Sequence, residues 1–129
     1  MYNPDLAVTL ARVTLGALLL VHGVPKMRDL KGTMGFVRGT GFPGGAVFAA
    51  LFSLLEFFGG IALILGLLTP LVAVLVVLEM VATSVFAKTK LGKKFVGGYE
   101  LDFLYLALAA VVAFLGPGVW SVDRLLGLA

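Results

Sequence analysis

The sequence contains no cysteine and only one histidine, His22, in 129 residues, and these absences exclude several kinds of redox centre. Without thiols the chain forms no disulfide and holds no iron–sulfur cluster or thiolate-bound metal. A single histidine cannot supply both axial ligands of a bis-histidine haem within one chain. Walker, Rossmann and nucleophile motifs and zinc-binding spacings are absent as well. We therefore expect no metal site and no intrinsic cofactor, and the sequence identifies no catalytic residue.

Charged residues are also scarce. They make up 13% of the chain, against about 25% in an average soluble domain, while hydrophobic residues make up 60%. A soluble domain of this size leaves roughly a third of its chain surface in contact with solvent, so it cannot hide this many apolar side chains. The surrounding solvent must be lipid, and the length fits a single transmembrane domain over residues 1–129.

Four apolar segments are long enough to be membrane spans. About 20 apolar residues cross a hydrocarbon core roughly 30 Å thick. The segments cover about residues 5–24, 45–68, 71–87 and 95–115. The first is too long for the hydrophobic region of a signal peptide, so we expect it to remain as a span. The predicted fold is all-α, an integral membrane four-helix bundle.

A short amphipathic helix is predicted between spans one and two. The first span is expected to end at Pro25 and Lys26. Beyond it, apolar residues recur at helical spacing among charged ones, and these are Met27, Leu30, Met34 and Val37. The pattern indicates a helix that lies on the membrane surface.

The basic residues predict the orientation in the membrane. Eight of the ten lie in the first and third loops, namely Lys26, Arg28, Lys31, Arg38, Lys88, Lys90, Lys93 and Lys94. Short loops rich in Lys and Arg stay in the cytoplasm. We therefore expect loops one and three in the cytoplasm and both termini outside. The same clustering explains the net charge of +3 without nucleic-acid binding.

Three ionisable residues fall near the middle of the predicted spans: Arg12, Glu56 and Glu79. Each costs at least about 2.5 to 3.5 kcal/mol at that depth unless it has a partner or a polar cavity. We expect all three to meet around the bundle axis, with Thr83 extending the polar stripe one turn beyond Glu79. Glycines that would let the helices approach closely lie beside these residues, at Gly16, Gly23, Gly59 and Gly60.

Two interpretations of this first cluster remain open. Arg12 and a glutamate can pair only to make their burial tolerable. Two carboxylates for one guanidinium leave one carboxylate in excess, however. If both carboxylates face one apolar pocket, one of the two should hold a proton at neutral pH. Such a group suits quinone or proton chemistry, although an ordinary hydrogen bond between helices is equally consistent.

A second polar cluster is predicted nearer the cytoplasmic side. His22 and Lys26 end span one, and Glu100 and Asp102 begin span four, at the same depth in an antiparallel bundle. Together they would form a wall for a polar headgroup. Alternatively, these side chains only extend into the lipid headgroup region, as charged residues near helix ends often do.

Several short motifs follow one another along nearly the whole chain. They are His22-Gly23 with Lys26 after an early arginine, Glu56-Phe57-Phe58-Gly59-Gly60, Leu65-Gly66-Leu67-Leu68-Thr69-Pro70, Gly97-Gly98-Tyr99-Glu100-Leu101, and Gly116-Pro117-Gly118 before Ser121-Val122-Asp123. In order and spacing they resemble the DoxX family of small membrane proteins.

The resemblance implies a four-helix protein of the prokaryotic cytoplasmic membrane. The family is named for a subunit of a terminal quinol oxidase complex and is related to a subunit of an archaeal thiosulfate:quinone oxidoreductase. Other members are linked to oxidative-stress complexes. The family offers no shared catalytic residues, so the candidate sites rest on the charge pattern.

Three functions remain open at this point. The first is a membrane subunit or accessory component of a quinone-linked oxidoreductase system, which binds a quinone headgroup or docks a partner subunit. The second is a small carrier for protons, cations or solutes that uses the mid-membrane carboxylates, and it would need a homo-oligomer to leave room for alternating access. The third is a non-catalytic assembly or anchoring protein, in which the polar clusters only hold the fold.

Overall fold

The computed structural model describes residues 2–129, and those residues fold into helices and short connections without a strand. The helices are α1 (Pro4–Arg28), α2 (Leu30–Gly39), α3 (Gly45–Leu65), α4 (Thr69–Thr89), α5 (Glu100–Leu115) and α6 (Val122–Leu125). An irregular turn over Phe95–Tyr99 leads into α5. With that turn included, α1, α3, α4 and α5 are long and apolar enough to cross a membrane. The predicted all-α four-helix membrane fold is confirmed.

The first helix is longer than expected, because α1 continues through Pro25 to Arg28. A proline inside a helix removes the backbone hydrogen bond to the carbonyl oxygen four residues earlier, but here only one further turn of helix follows it. Basic side chains in that turn, Lys26 and Arg28, also interact favourably with the helix dipole. Asp29 alone separates α1 from α2, and its side chain accepts a hydrogen bond from the Gly32 amide to cap α2.

The predicted amphipathic helix corresponds to α2, in which no residue is buried. It packs against the beginning of α3. Its exposed residues include Phe36, with 60% of its surface accessible. An aromatic residue this exposed beside basic residues is typical of a helix at a membrane surface.

Two antiparallel helix pairs form the bundle, α1 with α3 and α4 with α5. Between them lies a core of fully buried apolar side chains: Leu15, Leu19, Leu63, Val76, Ala109 and Val112. A methyl group added to Gly16 would lie 2.6 Å from the Gly60 carbonyl oxygen, and one added to Gly60 would lie 2.8 Å from the Gly16 oxygen. Glycine at both positions therefore allows α1 and α3 to cross at short range.

The outer surface of the bundle carries large apolar side chains that are exposed rather than packed against protein. Examples lie on every spanning helix, such as Leu10, Val21, Phe58, Leu78 and Phe114. A soluble protein rarely exposes contiguous apolar surface on this scale. Lipid is the environment that this surface fits, and the chain is a membrane protein with four apolar helices.

Candidate functional site

A π-helical turn over Leu55–Gly59 interrupts α3 at its middle and carries Glu56. Such turns place one extra residue in a helix and occur often at functional sites. Glu56 points into the bundle with 3% of its surface exposed. On the facing helix, a side chain at Gly23 would lie 2.8 Å from the Phe57 amide nitrogen, so only glycine lets α1 pack this closely against the turn.

Lys26, in the last turn of α1, binds the carboxylate of Glu56 through both oxygens. Its Nζ lies 2.8 Å from Oε1 and 2.9 Å from Oε2. The two side chains differ in burial, with 39% of the Lys26 side chain exposed against 4% of the Glu56 side chain. The ion pair thus runs from the protein surface into the interior.

Glu79 of α4 lies deeper, with 1% of its surface exposed. Neither of its carboxylate oxygens accepts a hydrogen bond from any residue in 2–129. Glu56, Lys26 and Asp102 are the charged groups that act on it. A buried polar group without a hydrogen-bond partner is costly. Glu79 is therefore the residue of this region whose bonding is least complete.

A cavity of about 270 Å³ opens beside these side chains. Its polar lining gathers at one end, from His22, Lys26, Glu56, Glu79, Thr83, Lys93 and Asp102. Aromatic side chains form much of the remaining wall, from Phe36, Phe42, Phe48, Phe52, Phe86 and Tyr105. The His22 ring meets the Tyr105 ring edge to face, with centroids 5.7 Å apart. Helices α1, α2, α3, α4 and α5 all contribute to this cavity.

The predicted meeting of Arg12 with Glu56 and Glu79 is wrong. Arg12 and Lys26 are both on α1 but lie about 21 Å apart along its axis, at 1.5 Å per residue. Arg12 reaches the other end of the bundle, where Nη1 donates to the carbonyl oxygens of Leu63 and Ile64 at 2.9 and 3.0 Å. Those carbonyls belong to the last turn of α3, and the Leu63 carbonyl oxygen also accepts a hydrogen bond from the Gly66 amide at 3.2 Å. The basic partner of Glu56 is Lys26 instead.

The end of the bundle around Arg12, which we call the closed end, also holds the C-terminal segment. Arg12 Nη2 donates to the Trp120 carbonyl oxygen at 2.7 Å. Asp123 accepts hydrogen bonds from the amides of Leu68 and Thr69 at 2.7 and 2.9 Å, at the beginning of α4. Asp123 is also the acidic residue whose charge acts on Arg12. We call this network of Arg12, Trp120, Asp123 and the turn between α3 and α4 the Arg12–Asp123 network.

Gly66 permits the network to form in that turn. Its φ is +73°, and a side chain there would lie 2.5 Å from Arg12 Nη1. The Gly66 carbonyl oxygen accepts a hydrogen bond from the Asp123 amide at 2.9 Å. The neighbouring Leu68 is the one non-glycine residue in 2–129 with positive φ, at 51°. The hydrogen bond that its amide donates to the Asp123 carboxylate holds this strained conformation.

The second predicted cluster assembles without Glu100. That carboxylate turns back to accept a hydrogen bond from the Gly97 amide at 2.7 Å, at the exposed start of α5, and it does not line the cavity. His22, Lys26 and Asp102 do line it. Thr83 joins them there, and its hydroxyl donates to the Met80 carbonyl oxygen at 3.2 Å. The cavity therefore combines members of both predicted clusters.

Several residues of the two ends of the bundle could not be identified from the sequence. Tyr105 and the cavity-lining phenylalanines come from several helices and from the connection before α3, so no spacing in the sequence separates them from ordinary packing residues. Asp123 follows Ser121, whose side chain caps the short α6, and this local signal points to a turn rather than to a partner more than fifty residues away. Lys93 reaches the cavity from the third loop, where it was assigned only to topology.

Within residues 2–129, no three His, Asp or Glu side chains come together as metal ligands do. The polar end of the cavity instead offers Lys26 as a hydrogen-bond donor and two carboxyl groups, at the edge of an aromatic-lined space. That combination suits a small ring with polar substituents.

Comparison with known proteins gives relatives along nearly the whole chain. The DoxX family model matches residues 7–89. "Putative oxidoreductase CatD" of Bacillus subtilis (strain 168) is 29% identical over 119 residues, which are 92% of this chain and 86% of that protein. "Inner membrane protein YqjF" of Escherichia coli (strain K12) is 32% identical over 127 residues, 95% of this chain and 93% of that protein. An uncharacterized membrane protein of Mycobacterium tuberculosis is 31% identical over 133 residues, 92% of this chain and 80% of its own. No solved structure matches the chain significantly.

Proposed function

The chain belongs to the DoxX family of membrane proteins, and from this premise we propose that it is a membrane subunit or accessory component of a quinone-linked oxidoreductase system. In this proposal the cavity receives a quinone headgroup. The chain supplies the binding groups, and a partner subunit supplies the centre that exchanges electrons. The printed name of CatD, a relative at 29% identity, supports a role in redox chemistry.

The observation that carries the proposal is an aromatic-walled cavity with charged groups at one end. Its volume of about 270 Å³ lies just below the roughly 300–1,000 Å³ range of ligand pockets, which suits a single ring. Aromatic side chains pack favourably against such a ring. The Lys26 ammonium has three N–H donors, of which two bind Glu56, so one remains for a quinone oxygen.

The two ends of the bundle favour this proposal over a carrier. A carrier exposes its site to each side of the membrane in turn. Here the cavity lies at the end with α2 and the third loop, while the Arg12–Asp123 network ties together the opposite end. Access from one side alone is what a headgroup-binding site needs.

The orientation that follows from the basic loops belongs to the proposal. Loops one and three would face the cytoplasm, which places the opening of the cavity there and both termini outside. The name of YqjF, an inner membrane protein, supports a location in the cytoplasmic membrane.

Blocking the cavity tests the proposal directly. Ala82 of α4 lines the cavity, so Ala82→Phe should fill it, whereas Val81→Phe places the same ring on the exposed face of α4. The measurement is thermal unfolding of the purified protein with a short-chain benzoquinone. Ligand at 100 times its Kd stabilises a protein by about 2.7 kcal/mol. We expect this stabilisation in the unsubstituted protein and in Val81→Phe and expect it to be lost in Ala82→Phe.

Isolation of the protein from its native membrane is a second test of the proposed function. An oxidoreductase should co-purify with the protein, or quinone should be found bound to it. If no partner, no bound quinone and no stabilisation by benzoquinone were observed, the proposed function would be wrong. Equal stabilisation of both phenylalanine variants would instead move the binding site away from this cavity.

A further inference from the structure

We propose that Glu56 and Glu79 together form a proton-binding site inside the bundle, and that the site exchanges its proton with water at the Lys26 end. The inference goes beyond quinone binding. It concerns the chain's own residues and holds whatever molecule enters the cavity. Two features carry it, the count of charges around Glu79 and the absence of a hydrogen-bond donor to its carboxylate.

The charges around the cavity leave one carboxylate without a counter-ion. Lys26 binds both oxygens of Glu56. Asp102 of α5 has Lys93 of the third loop as its strongest basic neighbour. The lining of the cavity thus holds two lysines for three carboxylates, and within the described residues neither lysine forms an ion pair with Glu79. No other lysine or arginine lines the cavity, whose remaining titratable groups are His22 and Tyr105.

The hydrogen bonds around Glu79 show the same lack of partners as the charges do. Among the residues that the structure describes, none donates a hydrogen bond to either buried oxygen of Glu79, although Glu56 is a close neighbour. Two ionised carboxylates offer only acceptors to each other. One proton held between them turns one carboxyl group into a donor for the other and removes the uncompensated charge at the same time. Two interacting carboxyl groups that share a site commonly take up one proton in this way.

A proton fits this place better than a metal cation. Metal ions need several oxygen ligands arranged around them, and no three acidic or histidine side chains come together in residues 2–129. Lys26 already occupies both oxygens of Glu56 and would repel a second cation. A proton needs only one oxygen and one acceptor.

The gradient of burial defines the route of exchange. The exposed fraction of the side chain falls from 39% at Lys26 to 4% at Glu56, and Glu79 has 1% of its surface exposed. A proton from water at the Lys26 end therefore reaches Glu56 first and Glu79 second, and it leaves by the reverse steps. The opposite end of the bundle is held by the Arg12–Asp123 network, whose acidic residue is engaged with backbone amides.

Infrared spectroscopy of the purified protein at neutral pH tests the inference without any quinone. A protonated carboxyl group has a C=O stretching band separate from the bands of carboxylates, and this band shifts in heavy water. We expect one such band in the unsubstituted protein and its loss in Glu79→Gln. Glu100→Gln is the matched control, because Glu100 lies outside the cavity, and it should keep the band.

Two further variants make the test sharper. Lys26→Met removes the counter-ion of Glu56, so that carboxyl group should also take up a proton and the band should grow. Glu79→Asp keeps a titratable group, so the band should move in frequency rather than vanish, and this variant gives a readout even if Glu79→Gln does not fold. Circular dichroism of each variant checks that the helices are intact.

The results that would overturn the inference are specific. An unsubstituted protein without the band would have both carboxylates ionised. A band that persisted unchanged in Glu79→Gln and disappeared in Asp102→Asn would place the proton on another residue. Neither result depends on benzoquinone, so this inference and the proposed function are tested by separate measurements.

Discussion

Asp123 is the residue whose removal should reveal how much the closed end contributes to stability. Its carboxylate is the partner of two backbone amides, those of Leu68 and Thr69, which begin α4 without a cap from their own segment. Substitution by alanine would leave both amides without an acceptor. The neighbouring residue Arg124 is exposed, so Arg124→Ala is a control at nearly the same place in the chain.

The expected loss in the free energy of unfolding follows from those two hydrogen bonds. A buried donor left without a partner costs about 1–3 kcal/mol, and the Thr69 amide is buried while the Leu68 amide is partly buried. We expect Asp123→Ala to lower the free energy of unfolding by about 3 kcal/mol. Loss of the acidic group that acts on the buried Arg12 adds in the same direction. Asp123→Asn keeps one acceptor oxygen, so its cost should be about half as large.

Reversible unfolding in mixed micelles, followed by circular dichroism, measures these differences. Arg124→Ala should change the free energy of unfolding by less than about 0.5 kcal/mol, as surface substitutions usually do. If Asp123→Ala were no more destabilising than Arg124→Ala, the two hydrogen bonds from the Leu68 and Thr69 amides would not hold the C-terminal segment to the bundle. The account of the closed end would then be refuted.

Three other predictions concern single positions or the whole topology. Gly66→Ala should destabilise the protein by at least about 1 kcal/mol in the same unfolding assay, because its φ is +73° and a methyl group would meet Arg12. Lys26→Met should cost about 3–5 kcal/mol by leaving Glu56 buried and unpaired, whereas Lys26→Met combined with Glu56→Leu should cost far less, and a double-mutant cycle would show this. A reporter fused to the C-terminus should be active only outside the cytoplasm, and cytoplasmic activity would reverse the proposed orientation.

The spanning helices were predictable because their signal is local. A bilayer requires a run of about 20 apolar residues, and such runs are visible in the sequence whatever the helices pack against. The amphipathic helix α2 was predictable for the same reason, from the spacing of its apolar residues. The end of α1 was not predictable, since proline commonly ends a helix, whereas this helix continues through Pro25 to Arg28.

The partners of the buried charges were not predictable from depth alone. Arg12 and Glu56 both lie well inside apolar segments, but Glu56 is about 12 Å along α3 from Ile64, whose carbonyl Arg12 binds. Lys26 was assigned to a different cluster because it follows a proline at a predicted helix end. Its long side chain reaches Glu56 all the same, as lysine side chains near membrane surfaces can.

The two ends of the bundle give the family motifs separate structural roles. Arg12, the turn containing Gly66 and the segment ending at Asp123 meet in one network of backbone hydrogen bonds, which leaves their charges engaged. His22, Lys26 and Glu56 meet around the cavity, where Glu79 stays without a donor. Charges that served only the fold would be expected to be satisfied at both ends. At the Arg12 end, Arg12 Nε and Thr69 Oγ1 are also buried without a partner, but the Arg12 guanidinium keeps three hydrogen bonds through its other nitrogens, whereas neither Glu79 oxygen has one. For that reason we propose that the chemistry of this protein takes place beside the cavity.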